Sequence, residues 1–276
     1  MAPVRKVSIY DLDVFYGLTN RFSLDLTIPY VTGSGGFTQG TKPNQRFVEW
    51  HANGIGDMTL QAEFWLNDTT KPSRLKGSVD LGIKAPTGSD SVEGLYLTPT
   101  GGEVQMPIDE AAQPGNGGWE LIFRAQGQLE LGGPFVAYAS GYYGLSLTEH
   151  TSVHQTNPGG TVGPLRSVPD TYSGRLGAGY LLPFADGLFL SVGGRINGVT
   201  VKDVIGGGDL YWRRPGYEVY VEPGLSWTLG ANIASVSVPL RVYQNKLDSP
   251  LDQSLHRHVG SDFAPYLVVA SYARRF

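Results

Sequence analysis

The sequence predicts an all-β protein, an antiparallel up-and-down β-barrel that spans a membrane. Three observations carry this prediction: polar and apolar side chains alternate along many segments, the segments are long, and short and long connections alternate between them. Alternation with period two is the pattern of strands. Short turns at one end and long loops at the other are typical of outer-membrane barrels. We therefore read residues 1–276 as a single domain.

The strands are predicted from alternation along the chain. The segment WELIFRAQGQLEL, which begins at Trp119, is the clearest, with Leu121 and Phe123 on one face and Arg124 on the other. Most segments run to about 11–15 residues, whereas strands of soluble proteins are typically about 5–6 residues long. The eleven predicted strands cover 4–18, 22–30, 56–66, 75–85, 119–131, 135–149, 172–182, 187–201, 216–229, 233–244 and 263–276.

The connections between these strands are the second observation. The short connections are 19–21, 68–74, 132–134, 183–186 and 230–232, and they alternate with long ones at 33–53, 88–118, 150–171, 202–215 and 245–262. A Greek-key sandwich would not give this regularity. The short connections are therefore predicted to be periplasmic turns and the long ones extracellular loops.

Aromatic residues on the apolar face support the same orientation. They gather at both ends of the strands, as amphipathic rings do at the two interfaces of a bilayer. The set next to the long loops is Tyr30, Trp119, Tyr172, Tyr217 and Tyr266, and the set next to the short turns is Phe22, Phe64, Phe135 and Trp227.

Composition excludes several other classes. No apolar run approaches the roughly 18 residues of a membrane helix, so a helical membrane protein is excluded. The chain has no cysteine, which removes disulfide frameworks and thiolate metal sites. A net charge of -4 without a basic block gives no reason to propose nucleic acid as a partner. No cofactor and no metal site are indicated.

Several phrases of the sequence carry a resemblance to a known family. These are YGLTNRFSLDLTIPYV at 16–31, GIGDMTLQAEFWL at 54–66, LGIKAPTGSDS at 81–91, PGNGGWELIFRAQ at 114–126 and EPGLSWTLGANIASVSVPLRVYQ at 222–244. In this order they resemble the outer-membrane proteins grouped as the "meta-pathway of phenol degradation" family. The resemblance implies a barrel in the outer membrane of a Gram-negative bacterium that moves small aromatic or hydrophobic compounds. It brings no catalytic or ligand residues with it.

The function expected from these observations is passive uptake of small molecules, with the lipid bilayer and the solute as partners and no enzymatic step. The alternatives that stay open are an outer-membrane enzyme of the esterase or lipase type and a plugged structural barrel. The enzyme alternative arises because all five histidines lie in or beside predicted loops, but no nucleophile motif accompanies them. The pairs His150/His154 and His256/His258 could also hold a surface metal.

The inward-facing residues are the candidates for lining a pore. Alternation places both signs of charge there, which indicates either a water-filled lumen crossed by salt bridges or a constriction with a transverse field. The pore-lining candidates are Arg124, Arg175, Arg195, Arg241, Glu120, Glu218, Glu222, Asp80 and Lys84. The candidates for an apolar vestibule in the loop at 88–118 are Leu95, Tyr96, Leu97 and Met106, although loop aromatics also pack on their own loop.

The last predicted strand ends in Phe276. By resemblance, such a terminal strand is what the outer-membrane assembly machinery recognises, and we expect it to seal the barrel against the strand at 4–18. Single-chain bacterial barrels have even strand numbers. Eleven strands therefore lead us to expect about twelve in the complete protein, with a strand and a signal peptide missing upstream of Met1 or a strand overlooked within 88–118.

Overall fold

The structure is a computed structural model that describes residues 4–157, 159–206, 210–258 and 263–276. Strands dominate it, and helical structure is limited to a 3₁₀ turn, Glu110–Ala112, and one short helix, α1, Pro250–Ser254. The strands are β1 (Val4–Gly17), β2 (Phe22–Gln39), β3 (Arg46–Ile55), β4 (Thr59–Trp65), β5 (Leu75–Lys84), β6 (Glu93–Leu97), β7 (Glu103–Pro107), β8 (Glu120–Gly132), β9 (Phe135–Ser146), β10 (His150–Asn157), β11 (Thr161–Ser167), β12 (Thr171–Leu181), β13 (Leu188–Val199), β14 (Gly216–Leu229), β15 (Asn232–Ser237), β16 (Leu240–Lys246) and β17 (Val269–Arg274).

One large antiparallel sheet forms the protein. Its strand order is β1-β2-β4-β5-β8-β9-β12-β13-β14-β15-β17, with β3 added beside β2 and β16 beside β14. All eleven predicted strands are present in this order, so the all-β, up-and-down prediction is confirmed. Within the described residues, no ladder of hydrogen bonds joins β1 to β17. The expected seal between the last strand and the first is therefore not seen there.

Two predicted strands need correction. The strand expected at 233–244 is interrupted after Ser237, and β15 and β16 lie on either side of the break. Pro239 explains it, because proline has no N–H to donate to a ladder. The strand expected at 263–276 is regular only in β17, with one bridge from Leu240 to Tyr266 before it. The connection expected at 33–53 is also not a loop, since β2 and β3 continue there as a paired hairpin.

The two faces of the large sheet differ in chemistry. Large apolar side chains stand exposed on one face, including Leu81, Leu176 and Val192. The other face, which we call the inner wall, buries charged side chains such as Asp80 and Glu222. Exposed Trp119 and Tyr266 lie near the long loops and exposed Phe135 and Trp227 near the short turns, all on the apolar face. A protein that folds in water around an apolar core shows the opposite arrangement, with large apolar side chains buried and charged side chains exposed.

The long connections fold into substantial structure at one end of the sheet. Two hairpins, β6–β7 and β10–β11, rise there, and a small apolar core forms from Trp50, Ala52, Ile108 and Ala112. The residues between the β1–β2, β8–β9 and β14–β15 pairs form tight turns at the other end. We call the two ends the loop end and the turn end. Among the described residues, no helix is long and apolar enough to cross a membrane.

Candidate functional site

Glu222 on β14 is the centre of one charge cluster on the inner wall. Arg175 of β12 donates to its two oxygens at 3.2 and 2.6 Å, and Arg195 of β13 donates at 2.7 and 3.0 Å. Ser237 Oγ adds a further hydrogen bond of 2.8 Å. The sequence brings these groups together because β12, β13 and β14 are neighbours and the inward positions fall opposite one another. One carboxylate is therefore held by two guanidinium groups.

A second cluster lies on the neighbouring part of the wall. Lys84 Nζ of β5 contacts Glu120 of β8 at 2.5 Å and Asp57 at 3.5 Å. Arg124 of β8 binds Asp80 of β5 directly and lies 3.6 Å from Asp25. Lys84–Glu120 and Arg124–Asp80 join the neighbouring strands β5 and β8, whereas Asp25 on β2 lies three strands away from Arg124 in the sheet order.

The other two pore-lining candidates bond to uncharged groups. Glu218 accepts from Asn197 Nδ2 at 3.3 Å, and Arg241 donates to the main-chain carbonyl of Phe263. All nine pore-lining candidates therefore lie on the inner wall. Seven of them pair with neighbours along the wall, an arrangement in which most of the charge is locally compensated.

The segment 108–116, which we call the strap, crosses the inner wall at the loop end. Ile108 and Ala112 are fully buried within it. Ala112 lies so close to β2 that a Cβ placed on Gly33 would come within 2.9 Å of both its side chain and its carbonyl oxygen. Only glycine leaves room for this approach of two backbones. The strap thus lies inside the mouth of the sheet and against its polar face.

Ion pairs and hydrogen bonds hold the strap from several sides. Arg214 Nη2 contacts Asp109 at 2.6 Å and its Nε contacts Glu110 at 2.8 Å. Burial opposes the charge of Arg214, but the neighbouring Glu110 and Asp109 carboxylates outweigh it and raise the pKa of Arg214. At the far end, Asn116 donates its backbone N–H to Asp57 at 2.9 Å and its side-chain amide to Glu120 at 2.6 Å. The strap is therefore tied to both the loops and the wall.

A cavity of about 370 Å³ lies between the strap, the β10–β11 hairpin and the connection before β14. Cavities of roughly 300–1,000 Å³ in the mouths of barrels are a common kind of small-molecule site. Its apolar lining includes Pro169, Val199, Trp212 and Phe263. Its charged lining is Asp90, Glu110, Arg166, Arg213 and Arg214.

The vestibule candidates lie in the β6–β7 hairpin. Tyr96 and Leu97 are buried, at 4% and 2% exposure, and Tyr96 packs edge-on against Phe37 with ring centroids 6.0 Å apart. Burial, with Asp109 nearby, raises the pKa of Tyr96 to about 12, so its hydroxyl stays neutral. Leu95 and Met106 are half-buried. Tyr96 and Leu97 pack within the loops, and none of the four candidates lines the cavity.

The histidines lie in the loop end, as the sequence predicts, and they are spread across it. His150 packs on Tyr211 with ring centroids 4.3 Å apart, His154 bonds to the carbonyl of Gly163, and His258 pairs with Asp248 at 2.7 Å. Across the described ranges, no group of three or more histidine, aspartate or glutamate side chains could hold a metal ion.

The sequence reasoning missed the residues that line the cavity. Arg166, Arg213 and Arg214 come from connections that are far apart in sequence from Asp90 and Glu110, so no local spacing links them. The run Trp212-Arg213-Arg214 inside a long connection is a local signal, because binding residues are disproportionately carried on loops. The proximity of these arginines to Asp90 and Glu110 arises only in the tertiary structure.

No protein-family model matches the chain, and a search of curated proteins finds no significant match.

Proposed function

We propose that the protein is a β-barrel channel of the bacterial outer membrane that lets small molecules pass, with the loop-end cavity on their route. The observation that carries the proposal is the sidedness of the sheet: exposed apolar side chains on one face and buried charge on the other. A membrane barrel needs this arrangement, because lipid faces outward and the polar lumen inward. Two girdles of exposed aromatics at opposite ends of the strands add support.

Aromatic or hydrophobic solutes enter the proposal only through the resemblance to the "meta-pathway of phenol degradation" family. The cavity is compatible with such solutes, since Trp212, Val199 and Phe263 line it. Recognition of the last strand by the outer-membrane assembly machinery is proposed on the same basis.

Reconstitution into planar bilayers tests the channel. We expect single-channel conductance and swelling of liposomes in small neutral solutes such as glycerol. Arg195→Ala should move the reversal potential toward cations, because Glu222 keeps Arg175 as a partner while the wall loses one positive charge. Arg46→Ala is the control, since Arg46 pairs with Glu103 in the exposed part of the loop end. An Arg195→Ala channel with unchanged selectivity would contradict a route along this wall.

A plugged barrel is the second candidate, and the strap is the observation that favours it. The strap is tied to Arg214 and Asp57 and lies against Gly33 of the wall. A folded, inserted protein that gives neither conductance nor solute flux, and gains both when residues 109–115 are replaced by a short glycine-serine linker, would be a plugged barrel. Flux through the unaltered protein would exclude it.

A further inference from the structure

Two arginines of the inner wall share one carboxylate. Arg175 and Arg195 each use Nε and Nη2 to contact the two oxygens of Glu222, at distances between 2.6 and 3.2 Å. The N–H groups of a guanidinium lie in one plane and form a fixed fork. This contact leaves the Nη1 amino group on the far side of each guanidinium, and no described residue accepts a hydrogen bond from either Nη1. Both arginines therefore keep donors that the wall does not use.

The same cluster carries an excess of positive charge. Among the described residues, Glu222 is the carboxylate that forms ion pairs with both Arg175 and Arg195. Glu218, the other acid on the inner face of β14, has the charge of Arg241 acting on it. Two guanidinium groups held by one carboxylate leave one positive charge on this part of the wall.

The positive charge can be reached from the inner side of the sheet. The side chain of Arg175 is 39% exposed and that of Arg195 is 18% exposed, whereas the side chain of Glu222 is 2% exposed. The buried carboxylate fixes the orientation of both guanidinium groups from below. Their exposed sides are then available to an anion from solution.

An aromatic surface lies beside this charge. The side chain of Tyr138 on β9 reaches across β12 and β13, because its hydroxyl oxygen would lie 2.4 Å from a Cβ placed on Gly177 and 2.6 Å from one placed on Gly193. Glycine at both positions lets the ring approach the wall closely. The Cζ atom of Arg175 lies 5.8 Å from the centroid of this half-buried ring. An apolar surface therefore adjoins an exposed guanidinium.

The part of the inner wall from β2 to β8 has the opposite balance of charge. The cations that contact acids there are Lys84 and Arg124. The buried acids of this part are Asp25, Glu63, Asp80 and Glu120. An anion is therefore repelled from these strands and attracted to the arginines of β12 and β13.

We propose that the cluster of Arg175, Arg195 and Glu222 binds a small organic carboxylate that carries an apolar group. The solute carboxylate would accept hydrogen bonds from Nη1 of Arg175, and Arg195 would add its charge. The apolar group would lie against the ring of Tyr138. The recognised feature is thus an anionic group, which the aromatic or hydrophobic solutes implied by the family resemblance do not require. Passage of the carboxylate rests on the proposed channel, whereas the binding itself does not.

NMR titration of the folded protein in detergent micelles, with isotope-labelled arginine, tests the binding with three probes. Butanoate carries both features, butanamide has the same shape without the charge, and acetate has the charge with a shorter apolar group. We expect butanoate to shift the Nε–H signals of Arg175 and Arg195. It should bind about tenfold or more tightly than butanamide, because only the carboxylate makes charged hydrogen bonds. Equal or tighter binding of butanamide, or unchanged arginine signals, overturns the proposal.

Variants locate the site. Arg175→Gln removes the Nη1 donors and one positive charge while Glu222 keeps Arg195 as a partner, and it should bind butanoate about tenfold more weakly. Arg46→Gln removes the same charge from the exposed part of the loop end and should bind butanoate as the unaltered protein does. Tyr138→Ala should lower the affinity for butanoate to that for acetate. Equal losses in Arg175→Gln and Arg46→Gln refute a local site.

Arg175→Lys is the second variant if Arg175→Gln fails to fold. It keeps the charge but lacks the planar fork, so butanoate should bind severalfold more weakly than to the unaltered protein. Unchanged affinity in Arg175→Lys would refute recognition by the guanidinium.

Liposome swelling separates this inference from the proposed function. Selective binding of butanoate without any flux of glycerol or butanoate would leave the carboxylate site standing and remove the channel. Flux of glycerol without selective binding of butanoate would leave the channel standing and remove the site.

Discussion

The loop end and the turn end of the sheet are built on opposite principles. At the turn end, a Cβ added to Gly132, Gly133 or Gly230 would meet nothing within 4 Å. At the loop end, the same addition to Gly33, Gly88 or Gly115 would come within 3 Å of neighbouring backbone atoms. These three turn-end glycines have positive φ and serve the conformation of the turns, while Gly33, Gly88 and Gly115 make room for packing.

The inner wall shows the same gradient along a single strand. On β8, Glu120 and Ile122 near the loop end are buried, whereas Gln126 and Gln128 toward the turn end are exposed. The inner face of β8 is thus covered near the strap and open toward the turns, although Glu63 and Ser78 on β4 and β5 are buried near the turn end. In the proposed channel, we would therefore expect the barrier to solutes at the loop end.

The largest expected effect comes from removing the cation that ties the strap. Arg214→Ala leaves Asp109 buried without its partner, and breaking a buried ion pair from one side costs about 3–5 kcal/mol. We expect this loss in the local opening free energy of residues 108–116, measured by native-state hydrogen exchange. Turn-end amides should keep their protection.

Arg46→Ala provides the matched ion pair for that experiment. Arg46 and Glu103 also lie in the loop end, but their side chains are 53% and 56% exposed. An exposed pair contributes about 0–1 kcal/mol, so we expect little change in exchange. Equal losses in the two variants would mean that the strap is not held by its buried charges.

The fold could be predicted from the sequence because the determinants of the strands are local. Apolar and polar residues alternate along WELIFRAQGQLEL, which predicts one strand with an apolar and a polar face. The strand β8 occupies almost the same residues, Glu120–Gly132. The break at Pro239 could have been predicted in the same way, since proline cannot donate to a ladder. The two loop hairpins were not predicted, because β6 and β7 are short and the apolar residues that fix them, such as Ile108, are buried against other loops.

The cavity could not be predicted for a different reason. Side chains alternate between the two faces of a strand, so the sequence alone assigns the charged residues Arg195 and Glu222 to the inner face. Their contact is then seen in the structure. Arg166 and Asp90 belong to no regular alternation, and their proximity depends on how two loops 76 positions apart fold over the mouth. Sequence periodicity fixes the sheet but carries no information on such contacts.

The second prediction concerns the apolar face of the sheet and asks whether lipid covers it. Leu176, at the middle of β12, and Val204, in the connection after β13, are 70% and 71% exposed. If lipid covers the sheet, Leu176→Arg should destabilise the inserted protein by about 2–4 kcal/mol, as charges do near the bilayer midplane. Val204→Arg should change stability little. Urea unfolding in liposomes measures the free energy of unfolding of both variants. Equal losses at the two positions would mean that Leu176 and Val204 face the same solvent, so that lipid does not cover the sheet.

The smallest effect concerns the turn end and its response to pH. Asp68, in the turn between β4 and β5, accepts from the backbone N–H of Thr70 at 3.0 Å and from its hydroxyl at 2.6 Å. These hydrogen bonds favour the charged form and lower the pKa of Asp68 from 3.8. A carboxylate with a lowered folded-state pKa stabilises the fold above its unfolded-state pKa, and that contribution disappears as the pH falls through the folded-state value. Asp68→Asn should therefore be slightly less stable than the unaltered protein at pH 7 and equal to it once the pH lies well below 3.8. If the difference in unfolding free energy between Asp68→Asn and the unaltered protein stays constant over this pH range, the charge of Asp68 is not its source. Packing of the side chain in the turn would then be the stabilising contribution.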